Sequence, residues 1–114
     1  MSFEVRTREL GRVIALDAAG RMTLEDGRTR LRDEIHVHSE RGRVKFLLNL
    51  SRVEFIDSYG VGELARCFSV ARQRGGDLRL VAVSRKVAEM LEVTRLHSLF
   101  LIYEDEAAAV KGYS

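Results

Sequence analysis

The sequence has one cysteine, no proline and no tryptophan among its 114 residues, and it has no long apolar run. A lone thiol, Cys67, excludes an internal disulfide and a cysteine-clustered zinc site. The longest unbroken apolar stretch, Leu99–Tyr103, falls far short of the roughly 20 residues that a membrane span needs, so no membrane insertion is expected. The opening Met-Ser-Phe-Glu-Val-Arg has no apolar h-region, so no secretory signal is expected either. Few aromatics lie near the basic residues, which leaves little for base stacking. Charge of one sign is scarce too: nineteen Lys and Arg oppose seventeen Asp and Glu, for a net charge of +2. Arg28, Arg30 and Arg32 interleave with Glu25, Asp26, Asp33 and Glu34, as on a solvated, salt-bridged helix face. Direct nucleic-acid binding is therefore not expected.

What is present is an ordinary core. Hydrophobic residues make up 46% of the chain, too many for a disordered tail. Residues 1–114 suffice for one compact domain and are too few for two, because a second core would need roughly 50 more residues. A small cytoplasmic domain is the expectation.

The hydrophobic period changes repeatedly along the chain. Phe3, Val5 and Thr7 alternate with charged residues, as on a half-exposed strand. After a turn at Leu10-Gly11, Val13–Leu16 is a continuous apolar run suited to a strand covered on both faces. The two should form an antiparallel hairpin at the sheet edge. Thr23 can cap a helix carrying Leu24, Leu31 and Ile35 on one face and ending near Gly42. Val44–Leu50 is a second buried-strand candidate. Val61, Leu64, Ala65, Phe68 and Ala71 then trace an amphipathic helix, with Glu63 in its early turns, Arg72 and Arg74 at its end, and Gly75-Gly76 as its stop. Leu78–Val83 reads as a third buried strand. Ser84 caps a short helix with Val87, Met90 and Leu91 on one side. Leu96–Tyr103 reads as a last strand and its approach rather than an exposed patch, and Glu104-Asp105-Glu106 opens a terminal helix ending near Gly112. The order β-β-α-β-α-β-α-β-α predicts an α/β sandwich: a mixed, mostly parallel sheet with an antiparallel N-terminal edge strand and covering helices.

One segment carries a chemical signal. Sites in open α/β sheets gather where a parallel strand ends and the next helix begins. That junction reads Phe55-Ile56-Asp57-Ser58-Tyr59-Gly60-Val61-Gly62-Glu63-Leu64. Asp57 and Ser58 are adjacent potential caps, and Gly60 and Gly62 fall in the first turns, where each costs about 1 kcal/mol relative to alanine. Either close packing of the helix start or close approach by another molecule must offset that cost. Capping alone would account for Asp57 and Ser58. Alternatively, Ser58 is displayed at a helix N-terminus whose free N–H groups accept an anion, while Asp57 and Glu54 repel one. That balance suits a charge switch.

These ten residues resemble the Asp-Ser-Ser/Thr-Gly-Leu-Gly signature of the STAS domain family, whose best-known stand-alone members are bacterial anti-sigma factor antagonists. The likeness extends to the N-terminal hairpin, a loop at Gly20, the strand into Asn49 and the Gly75-Gly76 stop. The resemblance implies a STAS-like fold with Ser58 as phosphoacceptor. It implies a partner that is both ATP-dependent serine kinase and anti-sigma factor, gripped by the unphosphorylated antagonist and released on phosphorylation. Asp57, Tyr59, Gly60, Val61 and Gly62 would form the partner-binding face. The resemblance implies a binding module and substrate, with no catalytic residue, cofactor, metal or small-molecule substrate of its own. Tyr59 stands where the family usually has Ser or Thr. Asn49 stands where it commonly has Asp, which takes a carboxylate from beneath the loop. The alternative is a phosphorylation-independent STAS adaptor in a signalling assembly or a lipid-transporter complex.

Other motifs are absent or isolated. No Gly-Lys-Ser/Thr supports a nucleotide loop, and no Gly-x-Ser-x-Gly supports a hydrolase elbow. His36 and His38 would point about 200° apart on a helix and so could not share a metal. His97 stands alone, and Cys67 reads as a buried small hydrophobe.

Overall fold

The computed structural model describes residues 3–23 and 30–113. Its elements are β1 (Glu4–Leu10), β2 (Val13–Met22), α1 (Arg30–Glu40), β3 (Lys45–Ile56), α2 (Ser58–Gln73), β4 (Asp77–Val81), α3 (Arg85–Val93), β5 (Ile102–Tyr103) and α4 (Glu106–Gly112). They build a five-stranded sheet in the order β1-β2-β3-β4-β5, with β1 antiparallel to β2 and the remaining pairs parallel. The expected fold class and element order are therefore those observed. Leu31 and Ile35 are buried as their spacing predicts. Thr23 lies at a bend, and the helix start expected there, with Leu24, falls outside the described residues.

Alternation along the strands divides the core in two. Ile14, Leu16, Phe46, Leu48, Leu78 and Leu80 face α1, α2 and α3 and form the main core with Leu64, Cys67 and Leu91. On the opposite face Val13, Leu47 and Val81 pack against Ala109 of α4. That second face is anchored by Tyr113, whose hydroxyl oxygen lies within donating distance of the carbonyls of Phe46 (2.9 Å) and Asp77 (3.0 Å), with the Arg79 guanidinium over its ring.

Two regions of the chain depart from expectation. The strand read as Val44–Leu50 continues to Ile56. Three steps of β3, Asn49 to Arg52, face two of β2, and a second irregularity follows at Gly20. Each extra residue flips the side-chain parity, so Leu50, Val53 and Ile56 all point into the core although their spacing is not two. Gly20 lies within β2 at this bulge, not in a loop, with a φ of +98° that favours glycine. The stretch Leu96–Tyr103 is the other correction. It pairs over only two residues, and Leu99, Leu101 and Ile102 are exposed together with Val93.

The bulged β2–β3 ribbon matters because it runs on past β4, whose pairing stops at Val81 opposite Asn49. It delivers Asp57 to the far end of β2, and α2 starts there.

Candidate functional site

Asp57 takes the cap of α2. Its backbone is extended (φ −114°, ψ −173°), its carboxylate accepts the Gly60 N–H at 2.9 Å, and its carbonyl accepts the Val61 N–H at 3.0 Å. An aspartate here satisfies an orphan donor and sets a negative charge at the positive end of the helix. With Asp57 capping, Ser58 is left without a structural task. It is the first helical residue and exposed, and its hydroxyl makes no hydrogen bond to the described residues.

The residues named from the sequence then separate. Tyr59 is 59% exposed, and Phe55 beside it is partly exposed beneath the Arg21 guanidinium, 4.7 Å from the ring centre. Val61 is buried in the core, so its side chain is not available to a partner. Gly60 is buried as well. A Cβ there would overlap the Met22 carbonyl oxygen and come within 2.7 Å of Ile56 Cγ1, so only glycine lets the helix start seat on the end of β2. At Gly62 a Cβ would meet nothing closer than Arg66 Nη1 at 3.5 Å, an ordinary contact. The fold needs the first glycine and not the second.

Glu63 does more than complement the helix dipole. It is buried and bridges two helices: its Oε2 accepts from Arg32 Nε of α1 at 2.5 Å, and its Oε1 lies 3.6 Å from Arg66 Nη1. Arg32 is therefore not simply part of a solvated face. No local pattern signals this pair, because its partners are far apart in sequence.

Asn49 does not lie beneath the Ser58 segment. It sits within β3 between Asp17 and Val81, and its Oδ1 accepts the Ser51 N–H at 2.9 Å. It lines an open concavity of about 530 Å³ with Arg6, Arg8, Asp17, Ser51 and Arg52, on the β1–β3 side. Arg8 is tied there to Asp17 and Glu106. No residue of the 57–62 segment lines it.

Cys67 is buried, and burial first, then the nearby Glu63 carboxylate, holds its thiol pKa above the usual range. His36 and His38 share α1, where His38 Nε2 lies 3.8 Å from Glu34. Among the described residues no three His, Cys, Asp or Glu side chains are grouped to hold a metal, and no helix is long and apolar enough to cross a membrane.

Comparison with known proteins bears on the whole arrangement. The family model of the STAS domain matches residues 5–109. The chain is 28% identical over 64 residues to a Paenibacillus polymyxa protein named anti-sigma F factor antagonist, a match covering 56% of this chain and 55% of that one. The chain thus spans about half the length of that curated relative. The crystal structure of a Thermotoga maritima protein superposes with a TM-score of 0.85 at 24% identity, covering 95% of this chain and 92% of the other. The phosphorylated form of the Bacillus cell fate determinant SpoIIAA superposes with a TM-score of 0.75 at 17% identity, over 97% of this chain and all of that one.

Proposed function

From the premise that this chain belongs to the STAS domain family, we propose that it is a cytoplasmic anti-sigma factor antagonist whose partner contact is switched by phosphorylation of Ser58. The observation that carries this reading is the division of labour at the start of α2. Asp57 alone caps the helix, and Ser58 stands exposed beside it with an unengaged hydroxyl. A relative named as an antagonist and the existence of a phosphorylated form of SpoIIAA, which shares the fold, support it.

The chain acts as binding module and substrate rather than as catalyst. A partner kinase brings ATP to the face formed by exposed Ser58 and Tyr59 and half-buried Gly62. The Ser58 oxygen attacks the γ-phosphorus. The new O–P bond forms as the bond to the departing ADP breaks, and the hydroxyl proton passes to a base on the partner. The product carries about −1.5 to −2 added charges next to Asp57. Burying that dianion against a surface suited to a neutral hydroxyl costs a few kcal/mol, and each ~1.4 kcal/mol is a factor of ten. The phosphorylated form is expected to bind about 100-fold more weakly.

Capture from native lysate tests this, with wild-type and Ser58→Asp proteins as baits and mass spectrometry of what they hold. Recovery of an ATP-binding serine kinase by the wild type alone is the expected result. Equal recovery of the same partner by both baits would make the protein a constitutive adaptor.

A further inference from the structure

Ser58, Gly62 and Arg66 follow at intervals of four along α2 and so share one ridge of the helix. Long helical side chains lean toward the N-terminus, which carries Arg66 back over Gly62. Its Nη1 lies 3.5 Å from the position that a Cβ on Gly62 would occupy. Cβ positions four residues apart on a helix are separated by about 5–6 Å. The guanidinium therefore reaches the Gly62 position on this ridge, and Ser58 is the next residue along it, with only a glycine between them.

Arg66 is also spare. Its contact with Glu63 is 3.6 Å long and the side chain is 61% exposed, a geometry that contributes little to stability. Glu63 keeps the 2.5 Å bond from Arg32 if Arg66 turns away, so no buried carboxylate is stripped of its partner. Asp57, in contrast, is committed to the Gly60 N–H and leaves a negative charge adjacent to Ser58. A phosphate placed there needs a cation, and a guanidinium offers two parallel donors to its oxygens.

We propose that Arg66 folds along α2 and holds the phosphate of phosphorylated Ser58 across the bare surface of Gly62; this rests on reading Ser58 as the phosphoacceptor. The clasp gives Gly62 a purpose that packing does not, because any longer side chain would stand between the two groups. It also gives phosphorylation a second effect. The phosphate adds charge, and the recruited guanidinium covers the patch of α2 that a partner could otherwise approach closely.

The test installs phosphoserine at position 58 during synthesis and follows its titration by phosphorus-31 NMR, in the otherwise native protein and in Arg66→Gln. Asp57, Glu63 and Arg32 are common to both, so the difference reports Arg66. A held phosphate gives up its second proton at lower pH than an unheld one, whose pKa is about 6. The expected result is a rise of about half a unit to one unit in Arg66→Gln, a three- to tenfold gain in proton affinity. Coincident titrations in the two phosphoproteins would overturn the proposal. Because the phosphate is installed synthetically, this outcome is independent of whether a kinase uses Ser58. That separate question is read from the mass of the Ser58 peptide in protein purified from its own cells.

Discussion

Gly60 and Gly62 lie two residues apart in one helix and look interchangeable in sequence, yet they face opposite demands. Gly60 belongs to the sealed underside of α2, pressed on the Met22 carbonyl beside Val61 and Ile56. Gly62 belongs to the outer ridge with Ser58 and Arg66, where a methyl group would meet only an ordinary contact. A helix start can thus carry a packing requirement on one side and none on the other within a single turn. The glycine penalty of about 1 kcal/mol is offset by close seating in one case. In the other, the fold offers nothing against it.

Substitution should pull the two apart. Gly60→Ala is expected to be the most damaging change, costing about 3 kcal/mol because backbone rather than a flexible side chain blocks the new methyl; urea denaturation measures it. A loss under 1 kcal/mol would mean that the two glycines are equivalent after all. Arg32→Ala should cost about 2 kcal/mol by the same assay, since Glu63 then keeps only the long contact to Arg66. Gly62→Ala should instead stabilise the fold by up to about 1 kcal/mol. Its cost should appear as weaker partner binding, on the order of tenfold, measured by titration calorimetry. Stabilisation with unchanged affinity would remove Gly62 from the recognition face.

The smallest expected effect belongs to Cys67 on the sealed underside. The folded state holds its thiol proton more tightly than the unfolded chain does, for which the ordinary value is 9.0. Its contribution is fully present below pH 9 and is lost as pH rises, by about 0.8 kcal/mol at pH 9.5. The slope of stability against pH in that window should shrink in Cys67→Ala.

Much of this arrangement was legible in the sequence, and the rest was hidden for definite reasons. The cap Ser84, the acidic opening of α4 at Glu104-Asp105-Glu106 and the stop at Gly75-Gly76 act locally, within a few residues, so their signals survive in a linear reading. The far half of β3 was missed because two bulges shift the parity of Leu50, Val53 and Ile56, and a period-two template loses the strand there. The pairing of half-buried Arg32 with buried Glu63 was missed because it joins two helices. The Leu99–Ile102 run misled because apolar character says nothing of whether a strand finds a cover at a sheet edge. At the site, the motif located the segment, but only packing showed that Asp57 does the capping, that Val61 is core and that the two glycines differ.

The central claim is that a phosphate on Ser58 turns a docking surface into one that its partner rejects. The most direct measurement is calorimetric titration of the captured partner with protein carrying serine or phosphoserine at position 58. The account predicts an affinity about 100-fold lower for the phosphorylated form, equivalent to about 2.7 kcal/mol. Equal affinities would contradict it and leave Ser58 as an exposed residue at the start of α2.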